Sequence, residues 1–190
     1  MERFGDIKDF NLLNKNWLLD SVILNKEECF SLFEMTKSKD GNLLYRATRD
    51  GFTGKAFHTQ CDGKSNTITI IKNDLNYVFG GYTSSAWTST FGYIKDNNAF
   101  LFSLRKNGKS CKDKFPIKLP QYALFETSLY GPTFGGGHDI HICNLSNQFH
   151  GTSSQFGHSY YVLEGNGITH LGGNCNDWLT TEIEVYQINN

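Results

Sequence analysis

The sequence predicts a β-rich α+β fold, in which two antiparallel β-sheets form a sandwich flanked by a few short α-helices. Two observations predict this class. About eight short runs of residues alternate with the two-residue period of strands, and stretches rich in Gly, Asn, Ser or Lys separate them. Between these runs the sequence lacks the long helical patterns that connect parallel strands. With 190 residues and 38% hydrophobic content, the chain fits a single domain over residues 1–190.

The first predicted helix lies in the stretch NKEECFSLFEMT, at about residues 25–36. Asn25 and Glu28 have the spacing of a capping box, in which each side chain accepts a hydrogen bond from the other residue's backbone N–H. Three apolar residues fall on one stripe of this helix: Cys29, Leu32 and Phe33. We assign the helix to an N-terminal lead-in that covers residues 1–42.

A second, shorter helix is predicted for TGKAFHTQC, with Thr53 as its N-cap. Three of its residues share one face: Ala56, Phe57 and Cys61. Asp62 and Gly63 then turn the chain, and the period of the sequence changes from helical to two.

Strands are predicted for NTITIIKN and AFLFSLR, whose side chains alternate between two faces. In the first, Ile68 and Ile70 lie opposite Ile71. Five further runs are predicted to be strands, and they begin at Tyr77, Tyr122, Asp139, His158 and Thr181. Two polar segments, residues 106–114 and 144–154, are predicted to be surface loops.

Charge and composition exclude several classes of function. Eighteen Lys and Arg against 19 Asp and Glu leave a net charge of -1, without the positive excess that nucleic-acid binding requires. No run approaches the roughly 18 apolar residues of a membrane span, and the first residues, MERFGDIKDF, lack the apolar core of a secretory signal. We therefore expect a soluble intracellular protein. Its five cysteines are scattered singly, which argues against a zinc ribbon and against a disulfide framework.

The stretch YGPTFGGGHDIHI, residues 130–142, looks at first like a phosphate-binding loop. A Walker-type loop that begins at Gly131 would need Lys and Ser or Thr where Gly137 and His138 stand. A dinucleotide fingerprint lacks its third glycine and the helix that should follow. Double glycines recur in FGGY, FGGG and LGGN, but their spacing is too uneven for the blades of a propeller. The stretch is instead predicted to be a tight turn that enters a strand.

Metal binding has weak support in the sequence. His138 and His141 are three residues apart in a predicted strand, so they should point to opposite faces. Glu126, His138 and Asp139 could together serve a metal-dependent regulator, but no calcium-loop pattern is present. We expect neither a metal nor a cofactor.

Nucleophilic chemistry is the main enzymatic alternative. Cys61 or Cys143 could pair with a histidine that folding brings near, as in a thiol-based redox protein or a hydrolytic enzyme. Nothing in the local sequence activates either thiol, and cysteine is among the residues most often buried in cores.

Several blocks of the sequence occur in the order, and with roughly the spacing, of the TLDc domain family. They are LLYRATRDGFTGKAFHTQCDGKSNTITIIK, YVFGGYTSSAW, AFLFSLRKN, KFPIK, YGPTFGGGHDIHICN, GHSY and EIEVYQI. Over residues 43–188 the chain resembles this family, and the helix at residues 25–36 is similar to the family's lead-in helix. The resemblance implies a β-sandwich with a few flanking helices, in agreement with the periodicity.

The resemblance also implies a function without catalysis. Members of the TLDc family are described as protective against oxidative stress, and several bind the vacuolar proton-pumping ATPase (V-ATPase) and regulate its assembly. The family brings no accepted catalytic residue and no cofactor. We therefore expect a monomeric, cytoplasmic module that binds the peripheral sector of the V-ATPase and reaches vacuolar or endolysosomal membranes through it.

Five residues are candidates for contact with such a partner. Trp87 and Trp178 lie in polar, loop-like surroundings and are predicted to be exposed, since aromatic residues often anchor interfaces. Glu126, His138 and Asp139 are polar candidates at or near the mouth of the glycine-rich stretch.

Overall fold

A computed structural model of the protein describes residues 20–38, 40–163, 167–174 and 176–189. Within these ranges lie three α-helices, α1 (Lys26–Thr36), α2 (Ala47–Asp50) and α3 (Gly54–Cys61), and one 3-10 helix (Pro120–Tyr122). No helix in the same ranges is long and apolar enough to cross a membrane.

The described residues form ten strands in two antiparallel sheets. They are β1 (Asp40–Arg46), β2 (Thr67–Asn73), β3 (Val78–Thr83), β4 (Gly92–Ile94), β5 (Phe100–Lys106), β6 (Lys109–Pro116), β7 (Leu124–Glu126), β8 (Thr133–Phe134), β9 (Ile140–His141) and β10 (Thr180–Asn189). The larger sheet has the order β1-β10-β2-β3-β5-β6, and the smaller has the order β4-β7-β8-β9. The predicted α+β sandwich of two antiparallel sheets with short helices is therefore confirmed.

The six-stranded sheet is buried on both faces. One face packs with the four-stranded sheet, where Phe79 and Leu101 join Phe134 and Ile140 in the inter-sheet core. The other face is covered by α1, which contributes Leu32 to a second hydrophobic cluster. The predicted alternation is confirmed in β2, because Ile68 and Ile70 belong to the cluster under α1, whereas Ile71 belongs to the inter-sheet core.

Both predicted helix caps are present. Asn25 Oδ1 accepts a hydrogen bond from the N–H of Glu28 at 2.9 Å, and Glu28 Oε2 accepts one from the N–H of Asn25 at 2.9 Å. Thr53 Oγ1 accepts a hydrogen bond from the N–H of Ala56 at 3.1 Å. These caps satisfy donors that a helix leaves unpaired in its first turn.

Two secondary-structure predictions are wrong. Residues 106–114 are not a surface loop, because β5 and β6 form a hairpin there through Asn107 and Gly108, both with positive φ. The missed signal is this Asn-Gly pair, and the polar side chains of β6 reflect its place at the edge of the sheet. The described part of the run that begins at His158 is not a strand either, because within it only Tyr160 forms an isolated bridge, with Ile117.

Candidate functional site

The glycine-rich stretch forms a structural joint around Asp139. The carboxylate is fully buried, and its Oδ1 accepts hydrogen bonds from the N–H groups of Gly157 at 2.7 Å and His158 at 2.9 Å. Its Oδ2 accepts a third from the N–H of Ser159 at 2.9 Å. Burial raises the pKa of Asp139, and the three N–H groups act in the opposite direction. Asp139 thus joins the HDIHI block to the GHSY block, and its burial keeps it from a partner's surface.

Gly135 permits this joint. Its φ of +86° is one that glycine adopts readily, and a Cβ added there would lie 1.9 Å from Asp139 Oδ2. The other double glycines also mark close approaches. A Cβ on Gly80 would lie 1.9 Å from the backbone oxygen of Thr69, and one on Gly172 would lie 2.5 Å from the indole nitrogen of a tryptophan. These motifs therefore serve packing in this fold.

The prediction that His138 and His141 point to opposite faces is wrong. His138 has φ +58° and lies in a turn, so strand alternation does not apply to it. The two rings stack, with centroids 4.9 Å apart. Burial lowers the pKa of both rings and brings that of His141, which also faces His138, to about 4. Among the described residues, no group of three or more His, Cys, Asp or Glu is placed to hold a metal ion.

The prediction that Trp87 and Trp178 are exposed is also wrong, since both lie in the inter-sheet core. Trp87 packs edge-on against Phe57 and donates its indole N–H to Thr67 Oγ1 at 2.8 Å. Trp178 packs edge-on against Phe79, with centroids 5.2 Å apart. Loop-like composition indicates the exposure of a segment, but one large apolar side chain within it can still turn into the core.

Glu126 is buried on the inner face of β7, with 1% of its surface exposed, so it too lies away from a partner's surface. Its Oε2 accepts hydrogen bonds from the backbone N–H of Thr88, at 2.9 Å, and from the Thr88 hydroxyl. Its Oε1 has no hydrogen-bond partner among the described residues. Burial raises the pKa of Glu126 to about 7, against the lowering effect of the Thr88 hydrogen bonds.

Replacing Glu126 with Gln is expected to remove part of the pH dependence of stability. The pKa rises from 4.5 to about 7 on folding, so between these values the folded protein keeps a proton that the unfolded chain has released. This contribution is complete below about pH 4.5 and is lost as the pH rises through about 7, and it amounts to about 3 kcal/mol. Denaturant unfolding at about pH 5 and about pH 8 measures it. An equal loss of stability in wild type and Glu126→Gln would contradict the assignment.

The candidate nucleophiles Cys61 and Cys143 are poorly placed for thiol chemistry. Cys61 is fully buried, and burial raises the pKa of its thiol far above the ordinary value, which disfavours the reactive thiolate. Cys143 is half-buried, and its Sγ lies 3.2 Å from Thr152 Oγ1. In the described part of the chain, neither thiol has a histidine as hydrogen-bond partner. Cys175 lies outside the described residues.

A serine, an aspartate and a histidine do meet beside α3, but in an order that does not suit catalysis. Ser89 donates its hydroxyl to Asp62 Oδ2, and Asp62 Oδ1 lies 2.7 Å from His58 Nδ1. The other ring nitrogen of His58 lies 2.9 Å from the backbone oxygen of Thr127. In a catalytic triad the histidine stands between the serine and the carboxylate. Here Ser89 contacts the carboxylate, and both ring nitrogens of His58 have other oxygen partners.

An aromatic face covers the outer side of the four-stranded sheet. It consists of Phe91, Tyr93, Tyr122, Phe125, Tyr130 and His138. Phe125 is its centre, with ring centroids 5.4 Å from Phe91, 5.1 Å from Tyr93 and 5.4 Å from His138. Phe91 is 84% exposed and Tyr93 is 47% exposed.

Sequence reasoning missed most of this face, although part of the signal was available. The alternation in β7 buries its first and last residues and turns Phe125 to the other side. Tyr93 is the cross-strand neighbour of Phe125, but β4 has only three residues and its period is too short to read. His138, a predicted contact residue, lies on this face.

Comparison with known proteins agrees with this architecture. The model of the TLDc domain matches residues 18–189, which include every strand and helix described above. A search of the curated proteins found no match. Since the family model covers nearly the whole sequence, the chain belongs to the TLDc domain family.

Proposed function

We propose that this chain is a non-catalytic regulatory module that binds a protein partner through its aromatic face, and that the partner is the peripheral sector of the V-ATPase. The observation that carries the proposal is the cluster of exposed rings around Phe125. Family membership supports the choice of partner, because several TLDc proteins bind this ATPase.

The aromatic face has the properties of a binding surface. Its rings are held in place by mutual edge-to-face contacts, so little side-chain entropy is lost when a partner covers them. Tyrosine hydroxyls supply polar groups at the same surface, and Tyr93 donates to the backbone oxygen of Gly136 at 3.3 Å. Exposed clusters of this kind commonly mark interaction sites in soluble proteins.

The geometry of the reactive groups supports a non-catalytic role. Cys61 is enclosed in the core, and the ring nitrogens of His58 contact Asp62 and Thr127 and not the hydroxyl of Ser89. Protection against oxidative stress would then follow from regulation of the partner's assembly, and the protein would reach endolysosomal or vacuolar membranes from the cytoplasm through that partner.

Binding to the purified peripheral sector of the V-ATPase tests the proposal. We expect the wild-type protein to bind, and the double variant Phe91→Ser/Tyr93→Ser to bind about 30-fold more weakly or worse, because two aromatic anchors are lost. The same proteins, used as bait in native lysate under resting and oxidising conditions, should recover peripheral-sector subunits only when the aromatic face is intact.

Phe149→Ser is the matched control, since Phe149 is 58% exposed and lies outside the aromatic face. It should bind like wild type. If the double variant binds as tightly as this control, the aromatic face is not the contact surface. If wild type fails to bind the sector in both assays, the choice of partner is wrong.

A further inference from the structure

A cavity of about 510 Å³ lies between the C-terminal end of α1 and the strands β3 and β5. Its volume falls in the range of small-molecule sites, which is about 300 to 1,000 Å³. The residues that matter for its chemistry are Lys37, Asn66, Tyr82, Ser84, Asn98 and Phe100. The cavity lies against the six-stranded sheet and is separate from the aromatic face.

The base of the cavity is aromatic. Tyr82 and Phe100 are cross-strand neighbours whose rings stack, with centroids 5.2 Å apart and planes 25° apart. Both are nearly buried, whereas Lys37 and Asn98 are exposed. The cavity therefore opens at Lys37 and Asn98 and closes on the two rings.

The charge at this cavity is positive. Lys37 lines it, and the lining residues that the structure describes include no carboxylate. Lys114 stands beside it, with Nζ 3.9 Å from the centroid of Phe100 and donating to the backbone oxygen of Met35 at 2.9 Å. Burial lowers the pKa of Lys114, and the charge of Lys37 lowers it further. The two ammonium groups thus repel each other, and an anion between them would relieve the repulsion.

Neutral hydrogen-bond donors add to this charge. Asn66 accepts the hydroxyl of Tyr82 on its Oδ1 at 3.2 Å, so its amide can donate through Nδ2. The carboxylate that contacts Ser84 is that of Asp96, which is buried and lies outside the lining of the cavity. It accepts hydrogen bonds from Thr83 and Ser84. Its charge is therefore already compensated by protein donors.

Lys37 adopts an unusual backbone for its residue type. It caps α1 with φ +58° and donates its N–H to the backbone oxygen of Phe33 at 2.7 Å. Glycine is the residue best suited to this left-handed position. A lysine at this position places a cation at the mouth of the cavity despite a less favourable backbone.

We propose that this cavity binds a small organic anion, with an apolar ring packed at the aromatic base beside Tyr82 and Phe100 and a phosphate or carboxylate between Lys37 and Lys114. The two rings favour an apolar body at the base, and the lysines with Asn66 favour the anionic group. This site is independent of the aromatic face and of any partner bound there.

Titration of the ¹⁵N-labelled protein with phenyl phosphate tests the proposal by NMR. We expect saturable shifts at residues that line the cavity and a rise in the pKa of Lys114. Benzoate should produce the same shifts, whereas inorganic phosphate and benzyl alcohol should each bind about tenfold more weakly, because each lacks one half of the ligand. The substitution Lys37→Gln should weaken the binding of phenyl phosphate about tenfold.

Lys37→Gly separates binding from folding, since glycine suits the left-handed cap. This variant should have the same Tm as wild type or a higher one, and it should still bind phenyl phosphate about tenfold more weakly than wild type does. Lys95→Gln, an exposed lysine outside the lining, and Phe91→Ser/Tyr93→Ser should both bind like wild type. No saturable shift at the cavity up to about 10 mM phenyl phosphate, or equal binding by Lys37→Gln and wild type, would overturn the proposal.

Discussion

Asp139→Asn is expected to destabilise the protein by about 4 kcal/mol, although the change replaces only one oxygen by an NH₂ group. The buried carboxylate accepts three backbone N–H bonds, two on Oδ1 and one on Oδ2. An asparagine can keep the two bonds to Gly157 and His158 through its single oxygen, but without the charge that strengthens them. Its NH₂ group then faces the N–H of Ser159, and two buried donors are left without an acceptor.

Urea unfolding of the two proteins at neutral pH measures this loss. Asp177→Asn is the matched control, because it makes the same chemical change at an aspartate whose side chain is 68% exposed. Asparagine also tolerates the positive φ of Asp177, so the control should change stability by less than about 0.5 kcal/mol. Equal effects of the two substitutions would show that Asp139 does not join the HDIHI and GHSY segments in solution.

The elements with a clear period could be predicted from the sequence, and the short ones could not. The strands β2 and β5 have seven residues each, enough to show which side chains share a face. The strands β8 and β9 have two residues each, and their pairing depends on contacts between distant segments. In such elements tertiary packing decides the backbone, and no local period exists to be read.

The candidate site was harder to predict because exposure is a property of the assembled layers. Residue type alone favoured the two tryptophans as exposed contact residues, but both fill the space between the sheets. Phe125 has the same local pattern as a core phenylalanine, and only the absence of a covering element on the outer side of β7, in the described part of the chain, leaves it at the surface. The family blocks predicted the fold well for a related reason, since they include residues such as Gly135 and Asp139 that hold distant segments together.

The buried pair of Glu28 and Arg105 fastens α1 to the six-stranded sheet. Glu28 Oε1 accepts a hydrogen bond from Arg105 Nε at 2.7 Å, and Oε2 accepts one from Nη2 at 2.6 Å. The same carboxylate completes the capping box with Asn25. Arg105 also donates to the backbone oxygen of Ile23 at 3.2 Å, so the pair connects the segment before α1, the helix itself and β5.

Glu28→Ala is therefore expected to lower the free energy of unfolding by about 4 to 5 kcal/mol, since it leaves a largely buried guanidinium without its anion and removes one half of the cap. Glu27→Ala, at an exposed acid in the same turn, should cost less than about 0.5 kcal/mol. Replacing both partners with methionine, as Glu28→Met/Arg105→Met, should recover much of the loss, because the unpaired charge disappears and apolar side chains fill the space. If the double variant is as unstable as Glu28→Ala, packing of the glutamate stem and not the ion pair holds α1 on the sheet.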